Sequence, residues 1–400
     1  MMYQFLKTPE ELAEWLKKIE NTSWIGLDTE FISEGKFTPL LCLIQIATEE
    51  GLFLIDALSV GSLRVFWERI CREDTLILVH ACRSEMEFCH HEIGRIPRNV
   101  FDIQLAAGFA GSDYPSGFKS IGEHFANIIL PKAETRTNWQ KRPLSMLQID
   151  YALNDVCYLH EIASGIRQKL KETKRLSWFQ EEMSSMLDSL LISFEKEDWT
   201  ELPGILHLTS NECAVAKALW DWRRHEAESR NRPECRILRD DLIVELAKRK
   251  TADPERIGAL RGMQYLQKSI PRIAEVIAEA LSGSDVDLPE PLYENSFPQY
   301  STICQFIRTA LSDFSRKKNI ALSLIASPRD IREYIASYYK TLPKARKARL
   351  RIGWRKKLLG PLLKELMSGN IAIRLTGKVD DPIEIVSVDH SLDLLGEDSE

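Results

Sequence analysis

Two acidic side chains near the N-terminus have the spacing of a metal site. Asp28 and Glu30 stand two residues apart at the end of a predicted strand, residues 24–29 (WIGLDT). Because side chains alternate between the faces of a strand, both carboxylates project from the same face. Two neighbouring carboxylates repel each other unless a hard divalent cation lies between them. The pattern D-x-E is common, however, and taken alone it fits a solvated turn better.

A second candidate group lies on a long helix predicted over residues 146–171. Tyr151 and Asp155 are four residues apart, so their side chains stack on one helical face. A phenol beside a metal-bound carboxylate can orient or activate a water molecule. In isolation, a partly buried tyrosine and a solvated aspartate are the simpler interpretation.

Further polar residues follow the predicted strand over residues 76–80. The run His80-Ala-Cys-Arg-Ser-Glu85 is one candidate, and Asp102 stands at the start of a predicted helix, where we expect an N-cap. Cysteine and histidine side chains in the same region raise the possibility of a zinc site. Their spacing matches no usual zinc motif, and a helix packed on the sheet explains them better; they are Cys82, Cys89, His90 and His91.

The elements that must position these residues form an α/β pattern. Short apolar runs predict strands at 24–29, 41–46, 52–56 and 76–80, and helical periodicity predicts helices at 62–72, 84–93, 103–110 and 146–171. Three early strands with short connections predict an antiparallel meander, and the later strand–helix alternation adds a parallel part. We therefore expect an α/β domain with a mixed sheet flanked by helices over residues 1–195.

Beyond this domain the pattern is helical. Helices are predicted at 211–229, 239–249, 253–259 and 270–281, which places an all-α domain at 208–284. The segment Ser282–Pro291 has a linker composition. Further helices at 300–316, 328–339 and 354–368 define a second all-α domain at 292–378, and an acidic tail at 379–400 is expected to be partly loose. We expect Trp220 and Trp222 to pack against neighbouring helices; stacking on nucleic-acid bases is the alternative interpretation.

Composition excludes several classes of protein. The 400 residues are 44% hydrophobic with a net charge of −6, which suits a globular, multidomain protein. No apolar run is long enough for a membrane span, and no secretory signal is recognisable. The eight cysteines are dispersed without a CxxC pair, which predicts reduced thiols and a cytoplasmic location.

Charge is distributed unevenly. The segment Arg316–Lys357 holds 14 Lys and Arg against 2 acids, and 8 acids follow Lys378. Within it, Lys340–Lys357, here called the basic block, holds nine Lys and Arg and no acid. A solvated helical face and a phosphate-tracking surface are both open interpretations of this block.

In this order and combination, the motifs resemble the DEDDy 3′→5′ exonucleases, and within that superfamily the ribonuclease D family. The resemblance rests on segments that include LDTEF (27–31), LVHACRSEMEF (78–88), FDIQLAAGF (101–109) and RPLSMLQIDYALNDVCYL (142–159). Residues 220–247 resemble the HRDC module of that family, and residues 353–376 resemble a further C-terminal unit of some bacterial members. The implied fold is an RNase H-like exonuclease domain followed by HRDC-like domains.

The resemblance also implies a mechanism and a substrate. Asp28, Glu30 and Asp155 would hold two divalent ions, Mg²⁺ or Mn²⁺, and Tyr151 would orient the attacking water. The remaining implied contacts are with the substrate, through His80 near the leaving nucleotide and through Thr29 and Phe31 at the 3′-terminal nucleoside. The expected activity is trimming of tRNA precursors and other structured RNA from the 3′ end, by a monomer that releases nucleoside 5′-monophosphates.

One residue departs from the family pattern. Where the family has an aspartate, six positions along when His80 is counted as the first, this chain has Glu85, whose side chain is one methylene longer. We assign Glu85 to the metal site as a fourth carboxylate. Two alternatives stay open at this point: a DNA exonuclease of the same superfamily, and a non-catalytic RNA-binding protein whose second metal is lost through Glu85.

Overall fold

A computed structural model describes residues 1–129, 137–195, 199–205, 208–283, 299–340 and 347–388. The chain divides into two compact units that are each discontinuous in sequence. Unit 1 comprises residues 1–100, 131–159 and 187–294, and unit 2 comprises residues 101–130, 160–186 and 295–400. The boundaries predicted from the sequence, 1–195, 208–284 and 292–378, stay predictions.

Strands and helices alternate in the first part of the chain. In order they are β1 (Tyr3–Leu6), α1 (Pro9–Lys18), β2 (Trp24–Ile32), β3 (Leu40–Thr48), β4 (Gly51–Ile55), α2 (Arg64–Ile70), β5 (Leu76–Val79), α3 (Arg83–Ile93), β6 (Val100–Asp102), α4 (Ile103–Ala110), α5 (Phe118–Ala126), α6 (Met146–Cys157), α7 (Leu159–Glu172) and α8 (Leu176–Glu195). The predicted strands and the helices near 62–72, 84–93 and 103–110 are present, whereas β1, α1, β6, α5 and α8 were not predicted.

Helices dominate the rest of the chain. In order the elements are α9 (Ser210–Ser229), α10 (Glu234–Ile237), α11 (Asp240–Arg249), α12 (Pro254–Gly258), α13 (Ile270–Ser282), α14 (Tyr300–Lys318), α15 (Leu322–Ile325), α16 (Pro328–Tyr338), α17 (Gly353–Met367), β7 (Ile371–Leu375) and β8 (Ile383–Ser387). Every helix predicted beyond residue 208 has a counterpart here. Among the described residues, every helix is too short or too polar to cross a lipid bilayer.

The main sheet has six strands in the order β1-β4-β3-β2-β5-β6. The strands β2, β3 and β4 form an antiparallel meander, while β1 joins β4 and β5 joins β2 in parallel. This is the mixed sheet that the sequence predicts. The strand that carries the D-x-E pattern lies near the centre of the sheet, with a neighbour on each side, so its backbone is held firmly.

The helix predicted over 146–171 is in fact two helices, and the prediction is wrong in this respect. α6 ends at Cys157, its C-cap is Tyr158, and α7 starts at Leu159. Buried apolar residues keep helical spacing through the break, at Val156, Leu159 and Ile162. Because Tyr158 itself stays near helical backbone angles, with φ −105° and ψ −2°, the hydrophobic pattern carries no sign of the interruption.

The C-terminal end of α6 lies directly on β2, and Gly26 makes this approach possible. A Cβ atom at Gly26 would stand 3.3 Å from a methyl group of Leu159 and 3.5 Å from the carbonyl oxygen of Val156. The first of these distances is tighter than most Cβ contacts, whereas the second is an ordinary van der Waals distance. The glycine therefore lets α6 come close to the strand that carries Asp28 and Glu30.

The all-α part of unit 1 has its own apolar core. Buried side chains of α9, α11 and α13 form one cluster, and Trp220 and Trp222 are partly buried against it. This supports helix packing, the preferred interpretation of the two tryptophans. The predicted linker at 282–291 lies almost wholly outside the described residues.

Unit 2 contains a β-hairpin that the sequence did not predict. β7 pairs with β8 in antiparallel fashion, from Ile371 opposite Ser387 to Leu375 opposite Ile383. β8 falls within the segment 379–400, so residues 383–387 of the acidic tail form a strand that was not predicted. The alternating sequence of β8, IEIVS, was not recognised as a strand because acidic residues surround it. Residues 389–400 lie outside the described ranges.

Candidate active site

The first two candidate carboxylates project from β2. Asp28 and Glu30 are both partly buried, and they pair across the sheet with Gln45 and Leu43 of β3. Immediately after Glu30 the register shifts by a β-bulge. Bulges bend a strand and redirect its side chains, and they are frequent beside active sites.

The second pair is delivered by α6, which packs against β2 and β3. This helix begins at a capping box, in which the Ser145 side chain accepts from the backbone N–H of Gln148 and the Gln148 side chain accepts from that of Ser145. A reciprocal cap fixes where a helix starts, and thus which side chains face the sheet. Tyr151 and Asp155 lie on the face that meets β2.

The structure brings three of the predicted carboxylates together. One oxygen each of Asp28, Glu30 and Asp155 lie within 4.8 Å of one another. Within the described ranges, no second group of three or more His, Cys, Asp or Glu side chains has this spacing. Asp28 and Asp155 are separated by 127 positions in the chain, so the cluster is a product of the fold.

The cluster is electrostatically strained without a cation. Burial and the charges of Glu85, Asp155 and Glu30 raise the pKa of Asp28 well above its usual range. Burial, with the charges of Asp155 and Glu85, raises the pKa of Glu30 to about 8, and burial raises the pKa of Asp155 to about 7. Partly desolvated like charges at this separation are the arrangement expected of a site for divalent ions.

Tyr151 contacts the same cluster. Its hydroxyl is hydrogen-bonded with Asp155, and its ring lies 6.1 Å from that of Trp139. Burial and the neighbouring carboxylates raise the pKa of this hydroxyl, so it stays protonated and available as a hydrogen-bond donor. That state suits a group that orients water.

Glu85 occupies a different position from the other three acids. It lies in the first turn of α3, is 4% exposed, and accepts a 2.6 Å hydrogen bond from the Thr29 hydroxyl. It is not part of the group within 4.8 Å, yet its charge raises the pKa values of Asp28 and Glu30. Glu85 therefore lies near enough to interact with the cluster, and its carboxylate is held by the Thr29 side chain of β2.

The other predicted site residues lie on β2 or directly after β5. Thr29 is buried, and the partly buried Phe31 packs edge-on against Phe88 with ring centroids 5.3 Å apart. His80 follows the last residue of β5 and is partly buried. Next to it, Ala81 has a φ of +61°, a left-handed conformation that is unusual for a residue with a side chain and that turns the chain from β5 into α3.

One supporting residue was missed by the sequence reasoning. The Arg142 guanidinium donates to both oxygens of Asp56 at 2.7 and 2.6 Å and to the carbonyl oxygens of Cys42 and Trp139. It thereby ties the segment before α6 to β3 and to the end of β4. Arg142 was visible in the segment at 142–159, but nothing local in the sequence indicates that its partner is Asp56.

Comparison with known proteins agrees with this geometry. Residues 3–171 match a 3′-5′ exonuclease family model, residues 212–277 match the HRDC domain, and residues 298–363 match the C-terminal HRDC domain of ribonuclease D. The chain is 30% identical over 365 residues to ribonuclease D of Desulfotalea psychrophila, covering 88% of this chain and 96% of that protein. The chain belongs to the ribonuclease D family. It is a 3′→5′ exoribonuclease.

Further ribonuclease D sequences and structures extend the match over nearly the whole chain. The protein of Acidiphilium cryptum is 30% identical over 386 residues, covering 95% of this chain and 97% of that one. The crystal structure of Escherichia coli RNase D, described as an exoribonuclease involved in structured RNA processing, has a TM-score of 0.79. It is 25% identical and covers 92% of this chain and 99% of its own.

The predicted N-cap is present at Asp102, and two of the cysteines considered for zinc are buried. Asp102 is the N-cap of α4, and its side chain accepts from the backbone N–H groups of Gln104 and Leu105, as expected. Cys82 and Cys89 are buried, and Cys89 Sγ lies 3.5 Å from Cys71 Sγ. These contacts support the packing interpretation over zinc.

The basic block of this chain is not wholly a solvated face. Arg355 is 4% exposed and donates to both carboxylate oxygens of Glu182 at 2.5 and 2.9 Å. Arg349 forms ion pairs with Glu182 and Asp330. Both cations are paired with acids of the same chain, Arg355 in a buried position and Arg349 with a side chain 42% exposed, whereas Lys356 and Lys357, which directly follow Arg355, are exposed. Residues 341–346 of the block lie outside the described ranges.

Proposed function

We propose that Asp28, Glu30 and Asp155 hold two divalent cations, Mg²⁺ or Mn²⁺, with Glu85 as the fourth carboxylate. The observation that carries this proposal is the approach of three carboxylate oxygens within 4.8 Å. The donor set fits, because hard dications prefer carboxylate oxygen and would relieve the repulsion that raises the pKa values of these acids. When bound, such ions activate water and stabilise charge on the phosphate and on the leaving oxygen.

The side chains have separate tasks in this proposal. The Tyr151 hydroxyl, hydrogen-bonded with Asp155, orients the water that attacks the terminal phosphodiester. His80 lies beside the leaving nucleotide, and Phe31, supported by Phe88, contacts the 3′-terminal nucleoside together with the backbone of Thr29. Hydrolysis then releases one nucleoside 5′-monophosphate at a time.

We further propose structured RNA, and tRNA precursors in particular, as the substrate class. The description of the Escherichia coli relative supports this, since that enzyme is involved in structured RNA processing. The HRDC-like domains would grip the folded part of the RNA while its single-stranded 3′ end reaches the carboxylates. Action as a monomer in the cytoplasm belongs to the same proposal and accords with the eight unpaired cysteines.

A nuclease assay on a tRNA with a 3′ extension tests the proposal. Asp155→Ala is compared with Asp150→Ala, which removes an exposed carboxylate from the same helix. We expect wild type and Asp150→Ala to release nucleoside 5′-monophosphates, EDTA to stop both, and Asp155→Ala to be inactive. Activity of Asp155→Ala close to wild type, or full activity in EDTA, would contradict the proposal.

Matched single-stranded RNA and DNA oligomers test the substrate class. RNA should be degraded in preference, since contacts to the 2′-hydroxyl are what separate the two sugars. Equal rates on both would instead favour a nuclease that does not discriminate between them.

A further inference from the structure

A hydrogen bond links the D-x-E strand to the residue that departs from the family pattern. Thr29 stands between Asp28 and Glu30 on β2, and its hydroxyl donates to Glu85 Oε1 at 2.6 Å. Both side chains are buried, and they are 56 positions apart in the chain. Hydrogen bonds from a neutral donor to a carboxylate at this distance are strong, because the acceptor is charged and desolvated.

The length of the glutamate side chain makes such a bond consequential. Compared with aspartate, glutamate has one more rotatable bond, so its carboxylate samples more positions unless something fixes it. The backbone of Glu85 is already set by the turn at Ala81 and by its place in the first turn of α3. The hydrogen bond from Thr29 to the carboxylate fixes the remaining side-chain torsions of Glu85.

The bond also limits what Thr29 can do for the substrate. A hydroxyl carries one proton, and in this structure it is donated to Glu85. The Thr29 side chain is therefore not a free donor to the 3′-terminal nucleoside, and the nucleoside contact of this residue falls to its backbone.

We propose that Thr29 is a positioning residue, whose hydroxyl fixes the Glu85 carboxylate so that the longer side chain can serve the second divalent cation. This inference rests on the proposed two-cation function and adds to it the means by which glutamate replaces aspartate. The Glu85 carboxylate lies outside the group within 4.8 Å, so the proposal assigns it to one of the two cations only.

Direct counting of bound Mn²⁺, by electron paramagnetic resonance and calorimetry, tests this role without relying on activity. The key variant is Thr29→Val, which replaces the hydroxyl with a methyl group of similar size, and Thr29→Ser is the matched control that keeps the hydroxyl. We expect wild type and Thr29→Ser to bind two ions. Thr29→Val should keep the first ion and bind the second about 10- to 100-fold more weakly, the usual cost of losing a group that orients a ligand.

A double-mutant cycle that combines Thr29→Val with Glu85→Asp isolates the interaction between Thr29 and Glu85. The shorter aspartate withdraws the carboxylate from the Thr29 hydroxyl, so Thr29→Val should weaken the second ion in the wild-type background but not in the Glu85→Asp background. An equal loss in both backgrounds would mean that Thr29 acts on the fold in general. Thermal unfolding of each variant without metal identifies such a structural effect.

The possible failures can be told apart. If wild type binds two ions and Thr29→Val binds the second as tightly, or if Thr29→Ser is as impaired as Thr29→Val, the positioning role is wrong and the two-cation site stands. If wild type binds fewer than two ions, the proposed function itself fails. Tighter binding of the second ion by Thr29→Val would show that the hydroxyl restrains Glu85 away from the metal, which also overturns the inference.

Discussion

At the scale of single residues, the pKa values of acidic side chains in this chain shift in opposite directions, depending on the charges that face them. Asp28, Glu30 and Asp155 face one another, and their pKa values are raised. At Asp56 and Glu182 burial also opposes ionisation, but hydrogen bonds from Arg142 and Arg355 outweigh it and lower the pKa values. The first group needs a cation from solution, whereas the protein supplies the cation for the other two.

Asp28 should be the least replaceable member of the site. Asp28→Ala removes the carboxylate that all three neighbouring acids act on, and we expect activity to fall by at least about 100-fold, as when electrostatic stabilisation of a transition state is removed. Glu85→Asp should retain or increase activity. Single-turnover rates on a 3′-extended RNA measure both, with Glu34→Ala as an exposed-acid control. An active Asp28→Ala enzyme would remove the two-metal interpretation.

Glu182 should give stability that is lost in acid. In Glu182→Gln, Arg355 loses a charged partner in a buried position, which costs about 3–5 kcal/mol at pH 7. The folded pKa of Glu182 lies below its ordinary value of 4.5, so its contribution is present above that value and is lost as the pH falls through the folded pKa. The difference in the free energy of unfolding between wild type and Glu182→Gln should therefore become smaller below about pH 4.5.

Urea unfolding from neutral to acidic pH measures this difference. Glu161→Gln, on the exposed face of α7, is the control and should match wild type throughout. If the difference in the free energy of unfolding stays constant down to the lowest pH measured, Glu182 is not the titrating group.

What the sequence could show at this scale follows from distance along the chain. Spacings of two and four residues made Asp28 with Glu30 and Tyr151 with Asp155 recognisable as pairs. The bond from Thr29 to Glu85 and the ion pair from Arg355 to Glu182 join residues 56 and 173 positions apart, and no local pattern marks them. The basic block looked uniform for the same reason, since its internal partners lie elsewhere in the chain.

At the scale of elements, α6 determines the geometry of the site. Its start is fixed by the Ser145–Gln148 capping box, its preceding segment is tied down by Arg142, and its end lies on β2 at Gly26. The helix was predicted, as part of a longer one, because its periodicity is local. The break at Tyr158 and the β-bulge after Glu30 were not, because both depend on how the element packs rather than on its composition.

The same helix predicts a further substrate contact. Leu147 is 78% exposed and lies one and two turns before Tyr151 and Asp155, on the same face. We expect Leu147→Ala to weaken RNA binding by about tenfold, because an exposed leucine beside the site gains apolar contact with a nucleobase. KM should rise while the number of bound Mn²⁺ ions and the thermal stability stay unchanged. Met146→Ala, also exposed but on a neighbouring face, is the control, and equal effects of both would contradict the prediction.

At the scale of the whole molecule, sequence modules and compact units differ. The family models match three successive segments, whereas the two units are each assembled from separated stretches of chain. Local periodicity predicts helices and strands but not which distant segments pack together. The hairpin of β7 and β8 shows the same limit, because pairing across seven intervening residues was hidden in an acidic context.

The exposed part of the basic block should contribute to RNA binding through charge alone. Lys356 and Lys357 are exposed, while their neighbour Arg355 is committed to Glu182. Replacing both lysines with alanine should weaken binding of single-stranded RNA and flatten its salt dependence. The slope of log K against log salt should fall by about 1.4, since each phosphate contact contributes about 0.7.

Fluorescence anisotropy in EDTA, which prevents hydrolysis, measures this slope from about 50 to 200 mM salt. Lys17→Ala with Lys18→Ala is the control, because it removes the same charge from exposed positions on α1. If both double variants change affinity equally, net charge rather than a local phosphate contact is responsible. If neither changes the slope, the exposed lysines are only a solvated face, and RNA must be held by other parts of the chain.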